Sequence, residues 1–214
     1  FITFSDGLRK YKNTHKLYKK SKYWYDRNDV TKYERRNLMK KTGRITTEGF
    51  GMENLPKEGG YVMFSNHQGK YDALGIMHTH DKPCSVVMDD ARSHGPLVKQ
   101  FIDLVEGKRL KIDNLKQAAG IIKEVTREVK EGRKFIIFPS GGYEHRNGNY
   151  VDEFKPGAFK SAMKAKAPIV PVAIVDSWKV FDLWSLRKVK TEVFYLKPML
   201  YDEYKDKKSV EISS

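Results

Sequence analysis

Apolar positions along this chain fall into short unbroken runs, separated by stretches in which they recur at helical spacing. Tyr61-Val62-Met63-Phe64-Ser65, Phe135-Ile136-Ile137-Phe138 and Pro168-Ile169-Val170-Pro171-Val172-Ala173-Ile174 read as buried strands. A continuous apolar run of that length, bounded by polar residues, leaves neither face for water. Lys82 to Met88 reads as a further strand, Arg44 to Glu48 as a short polar one, and Lys190 to Leu196 as an edge strand. The clearest helix is 114–131, with Leu115, Ala118, Ala119, Ile122, Val125 and Val129 on one face, Asn114 as its cap and Gly132 as its stop. Shorter helices are expected over 73–79, over 91–105 with Pro96 starting or kinking it, and over 157–165, while the chain from Asp202 reads as a polar tail. Strands alternating with helices predict an α/β fold with a mostly parallel central sheet and flanking helices. In such sheets chemistry gathers beyond the carboxyl ends of the strands.

Residues 1–44 depart from this pattern. They carry 14 Lys/Arg against 4 Asp/Glu, so most of the net charge of +14 lies in the first fifth of the chain. Phe1, Phe4, Tyr11, Tyr18, Tyr23, Trp24, Tyr25 and Tyr33 are interleaved with the cations. A basic helical pair, about 7–20 and 29–41 with Asp29 as a cap, precedes a domain over 45–214. Basic residues with Trp and Tyr suit an anionic membrane surface, where each Lys or Arg adds about 1 kcal/mol. They also suit a phosphate backbone, or a solvated helix pair packed on the domain by its aromatics. Elsewhere no run approaches the roughly 18 apolar residues of a membrane span. The single cysteine, Cys84, excludes an internal disulfide and a four-cysteine metal site, and suggests a reducing, intracellular setting.

Candidate chemistry begins where the first buried run ends, at Asn66-His67-Gln68-Gly69-Lys70-Tyr71-Asp72. On one continuous helix, positions five apart point about 140° away from each other. His67 and Asp72 therefore meet only if Gln68-Gly69 turns the chain, which a residue without a Cβ makes easy. Asp72 would then accept from one ring nitrogen and leave the other free to take a proton. A second signal, Phe138-Pro139-Ser140-Gly141-Gly142-Tyr143, also follows a buried run. The Gly141-Gly142 bend would offer backbone N–H groups to a phosphate or a developing oxyanion.

These stretches, with the basic knot Gly107-Lys108-Arg109-Leu110-Lys111 between them and Pro168-Ile169-Val170-Pro171-Val172 after them, resemble the 1-acylglycerol-3-phosphate (lysophosphatidate) acyltransferase family of glycerolipid acyltransferases. That family carries Asn-His-x4-Asp, a basic block, Phe-Pro-Glu-Gly and an apolar Pro-Ile-x-Pro-Val block in this order. The likeness covers roughly 45–200. It implies acyl transfer from acyl-CoA or acyl carrier protein to the hydroxyl of a lysophospholipid, with His67 as general base oriented by Asp72 and no further cofactor. It implies substrate contacts from Asn66, Lys70, Arg109 or Lys111, Pro139, Ser140, Gly141, Gly142, Arg146 and Pro171. It implies membrane association at the cytoplasmic face, with an anionic bilayer rather than nucleic acid as partner. Two departures stand out: Ser140 where the family has glutamate, and Tyr143 where arginine is commoner. They leave open whether activity is full, altered or lost.

Three other readings compete. Ser140, His67 and Asp72 could form a hydrolase triad, but a nucleophile elbow wants glycine where Phe138 stands. His78, His80 and Asp81 have ligand-like spacing without a third strong ligand, and read more simply as a polar helix end, while His145 follows the Gly-Gly bend and is a candidate for lining a pocket there. A nucleic-acid module would explain the basic N-terminus and nothing else.

Overall fold

The computed structural model describes residues 45–95, 98–143, 148–181 and 188–214. The expected N-terminal helical pair, Pro96, His145 and Arg146 lie outside the described residues. The described chain forms a seven-stranded sheet: β1 (Ile45–Phe50), β2 (Tyr61–Ser65), β3 (Ser85–Asp89), β4 (Lys108–Leu110), β5 (Lys134–Ile137), β6 (Ile169–Val175) and β7 (Val189–Tyr195). Its helices are α1 (Asp72–Thr79), α2 (Val98–Leu104), α3 (Leu115–Lys130), α4 (Lys160–Ala165), α5 (Tyr201–Tyr204) and α6 (Ser209–Ser213). Strand order is β1-β7-β6-β2-β5-β3-β4. Every neighbouring pair is parallel except β6 with β7, so β2 to β6 point one way and β1 and β7 the other.

The buried runs are central because both their faces are covered. Along β2, Tyr61 and Met63 join one core with Ile136, Val170, Val172, Ile76, Met77 and Ile102. Val62 and Phe64 point to the opposite face and join Phe135, Ile169, Val125, Val129, Phe159 and Ala162. Helices α1 and α2 thus cover one face, and α3 and α4 the other. Gly60, one residue before β2, is forced by close approach: a Cβ there would stand 2.0 Å from the Val129 carbonyl oxygen. Asn114 caps α3 as expected, its Oδ1 accepting from Gln117 N at 2.9 Å.

Four expectations are corrected. The 190–196 strand is not an edge: β7 lies between β1 and β6, with Val189, Thr191, Val193 and Tyr195 all buried. The basic knot contains the edge strand β4, and Lys108 can sit there because Glu124 and Glu128 take its ammonium at 2.7 and 2.6 Å. The helix expected over 91–105 is divided into a 3₁₀ turn, Ala91–His94, and α2. The tail folds into α5 and α6, because Tyr204 is buried and donates to the Ala167 carbonyl at 2.6 Å.

Glu128, buried in α3, also accepts from Arg133 at 2.5 Å, and Arg133 reaches Glu106 at 2.7 Å. The bond from Lys108 holds the Glu124 carboxyl below its ordinary range. That part of the network stabilises the fold above the usual carboxylate pKa and is lost as acid protonates Glu124. Replacing Glu128 with alanine is expected to cost about 3 kcal/mol, the low end for breaking a buried pair, since each cation keeps a second partner. Asn114→Ala should cost about 1 kcal/mol. Urea unfolding of both variants measures the difference.

Candidate active site

The end of β2 is fastened before any chemistry begins. Asn66 Oδ1 accepts from Ile174 N at 2.8 Å, and its Nδ2 donates to Ile174 O at 3.0 Å. Gln68 does the same one turn on, donating to Ile174 O at 3.0 Å and to Asn149 Oδ1 at 2.9 Å. Its Oε1 accepts from Ser177 N at 3.1 Å and lies 3.0 Å from Ser177 Oγ, whose one proton goes to Asp72. The loop leaving β2 is thereby tied to the exit of β6.

Asp72, the first residue of α1, is fully buried and gathers that loop around its carboxylate. Oδ2 accepts from Gln68 N at 2.6 Å, Gly69 N at 2.9 Å and His67 Nδ1 at 2.6 Å. Oδ1 accepts from Ser177 Oγ at 2.5 Å. His67 and Asp72 therefore meet, but for a reason other than the one expected. Gly69 does not adopt a positive φ, and a Cβ there would make ordinary contact, 3.6 Å from Trp178 Cα. The carboxylate, bonding two successive amides, holds the turn. A carboxylate only accepts, so the proton on Nδ1 belongs to His67 and its Nε2 is the basic nitrogen.

The imidazole is held on its other sides by aromatics. Phe138 stacks on it at 4.3 Å between centroids and 20°, and Tyr143 meets it edge-on at 4.6 Å and 78°. Its side chain is 18% exposed, enough for a substrate to reach one nitrogen of a ring that cannot swing. The two strand-end motifs, separate in sequence, form one site.

The remaining candidates divide. Asn66 is a fastening: both ends of its amide are engaged by Ile174, which removes it from substrate contact. Ser140 donates to Gly142 O at 2.7 Å rather than to His67, so the triad reading has no nucleophile–base bond. Gly141 takes the positive φ, 77°, that the bend needs, but its N–H already donates to Phe138 O at 3.1 Å. That removes one of the two amides expected to meet an anion. Pro139 is buried, its carbonyl accepting from Lys155 N at 3.0 Å, and Pro171 is a sheet residue in register with Phe64. Arg109 is engaged by Asp103 at 2.6 Å and Ser93 Oγ at 3.0 Å. Lys111 lines a groove with Asp89, Asp90 and Asp113, while Lys70 is exposed.

His80 stands at the helix end where it was expected, as the C-cap of α1. It is fully buried, with Nδ1 donating to Lys82 O at 2.5 Å and Nε2 accepting from the Tyr61 hydroxyl at 2.7 Å. Among the described residues no group of three or more His, Cys, Asp or Glu is placed to hold a metal ion. Sequence reasoning missed Ser177, which no motif marks. It also missed Arg92, whose guanidinium lies 5.6 Å over the Tyr143 ring. The rule that strand ends carry chemistry, applied to the end of β3, would have pointed to Arg92.

Comparison with known proteins places the chain in a family. The family model described as Acyltransferase matches residues 46–175. The 1-acyl-sn-glycerol-3-phosphate acyltransferase of Saccharomyces cerevisiae is 27% identical over 142 residues, 66% of this chain and 46% of that protein. The Escherichia coli protein of the same name is 28% identical over 147 residues, 68% of this chain and 59% of that protein. The chain spans about half the length of the curated relatives it matches. The crystal structure of the 1-acyl-sn-glycerophosphate acyltransferase PlsC from Thermotoga maritima superposes with a TM-score of 0.68 at 19% identity, covering 99% of this chain and 86% of that one.

Because Ser177 supplies one of the bonds to a buried carboxylate, Ser177→Ala is expected to lower folding stability by about 1.5–3 kcal/mol. Asp72→Ala should cost more, since it strands the buried Gln68 amide, the half-buried Gly69 amide and the His67 N–H at once. Chemical denaturation of both variants checks the order.

Proposed function

This chain belongs to the acyltransferase family, and from that premise we propose that it transfers a fatty acyl group from a thioester donor, acyl-CoA or acyl carrier protein, to the free hydroxyl of 1-acylglycerol-3-phosphate. The observation that carries the reading is the bond from His67 Nδ1 to Asp72 at 2.6 Å, which leaves Nε2 as a fixed base at the mouth of the sheet. Nε2 takes the proton of the acceptor hydroxyl as its oxygen attacks the thioester carbonyl. The tetrahedral adduct then collapses: the C–S bond breaks, and the thiolate leaves with the proton returned by the imidazolium. The products are the diacylglycerol 3-phosphate and the free thiol. No acyl-enzyme is required, which is consistent with Ser140 bonding to Gly142 rather than to His67.

The acceptor is an amphiphile that resides in a bilayer. No described helix is long and apolar enough to cross a membrane. Residues 1–44, rich in Lys, Arg, Trp and Tyr, would dock the domain on an anionic bilayer at the cytoplasmic face. The domain would then take the acceptor from the headgroup layer.

Thioester consumption with lysophosphatidate on anionic vesicles tests the proposal. Turnover that falls by about 10²–10⁴ in His67→Ala supports it, since that is the usual worth of a general base. Equal rates in the two proteins would remove His67 from the chemistry.

A further inference from the structure

Arg92 ends the hierarchy of contacts that starts at His67. Its guanidinium carbon lies 5.6 Å over the ring of Tyr143, and that ring meets the His67 imidazole at 4.6 Å. The two distances, 5.6 and 4.6 Å, bound the separation of guanidinium and imidazole at about 10 Å. A basic nitrogen sits about 3 Å from the hydroxyl it deprotonates. A guanidinium sits within about 4 Å of the oxygens of an anion it pairs with. What fits between them is a hydroxyl and an anion only a few bonds apart, as on a glycerol phosphate.

The ground between the two groups is bare. Gly141 and Gly142 carry no side chains, and a cation stands against each. A Cβ on Gly142 would lie 3.6 Å from Arg92 Nη1, and one on Gly141 would lie 2.9 Å from Lys155 Nζ. Ser140, beside them, is neutral, so no carboxylate from that position competes for either charge. The Arg92 side chain is 56% exposed, and its ion pair with Asp89 is a loose 3.8 Å. The stronger basic candidates from sequence are placed otherwise. Arg109 is neutralised by Asp103, and its second bond, to Ser93 Oγ at 3.0 Å, braces the Ala91–His94 turn that presents Arg92. Lys111 shares its groove with Asp89, Asp90 and Asp113.

We propose that Arg92 and Lys155, on either side of the Gly141-Gly142 bend, form the cation pair that binds the acceptor's phosphate, with Tyr143 as the platform that aims Arg92. This rests on the acyl-transfer reading above and adds the residues that select a phosphate-bearing acceptor. Arg109 is a positioning residue for the same pair.

The test compares the full chain with Arg92→Ala, Arg92→Lys, Lys155→Ala, Tyr143→Ala and Tyr143→Phe, on 1-acylglycerol-3-phosphate and on the uncharged 1-acylglycerol. Losing a bond to a charged group should raise KM for the phosphate acceptor at least about tenfold in Arg92→Ala and Lys155→Ala, with kcat moving less than about threefold. The uncharged acceptor should be used equally well by the parent and the Arg92 and Lys155 variants, and Arg92→Lys should recover part of the affinity. Tyr143→Ala, which also frees the His67 ring, should lower kcat on both acceptors but raise KM only for the phosphate acceptor, and Tyr143→Phe, which keeps the ring, should restore that KM. KM unchanged within about twofold in Arg92→Ala overturns the proposal, as does an equal loss on both acceptors, which would mark general damage. If the parent chain transfers no acyl group, the acyl-transfer reading fails by itself. Calorimetric titration with glycerol 3-phosphate then decides the cation pair: binding lost in Arg92→Ala supports it, and no binding by the parent refutes it.

Discussion

A carboxylate sealed from water is costly unless its oxygens are bonded, and Asp72 meets that condition with four donors from two places in the chain. Two are successive amides of the loop that leaves β2, one is the imidazole, and one is a hydroxyl at the exit of β6. Each donor is useful only in one position, so the charge selects a single path for residues 66–72. The path would be unfavourable without the charge, and the charge would be unfavourable without the path. That mutual requirement gives the imidazole its tautomer and its direction.

The sheet supplies the place where this can happen. Strands β2, β3, β5 and β6 point the same way, so the loops after Ser65, Asp89, Ile137 and Val175 emerge on one side. His67, Arg92, the Gly141-Gly142 bend and Ser177 are contributed by those four exits. Apolar cores on both faces of β2 hold its register, and Asn66 and Gln68 extend the register beyond its last paired residue. Strands β1 and β7 run the other way and contribute side chains to the core rather than to the site.

Much of this was legible in the sequence because burial on two faces leaves an unmistakable apolar run, as at 61–65 and 135–138. The amphipathic face and Asn114 cap of α3 were equally plain. Spacing and position predict the pairing of His67 with Asp72, but they point to Gly69 for the turn, which the carboxylate holds instead. What stayed hidden depends on partners distant in sequence. β4 is three residues long and basic, and nothing local announces that Glu128 in α3 neutralises Lys108. β7 alternates buried and exposed residues like an edge strand, and only β1 covering its outer side reveals that it is interior. Asn66 reads as a ligand-binding amide until Ile174 is seen to use both its ends. Arg92 reads as one surface cation among many until Tyr143 is found beneath it.

The central claim is that Asp72 fixes His67 as the Nδ1–H tautomer with Nε2 free to accept a proton. Nitrogen-15 NMR of the histidine-labelled protein, with the His67 signals identified by their loss in His67→Ala, measures this directly. The account predicts a neutral imidazole protonated at Nδ1, and a shift away from that single tautomer in Asp72→Asn. A ring protonated at Nε2 in the parent protein, or a tautomer indifferent to the loss of the Asp72 charge, would contradict it.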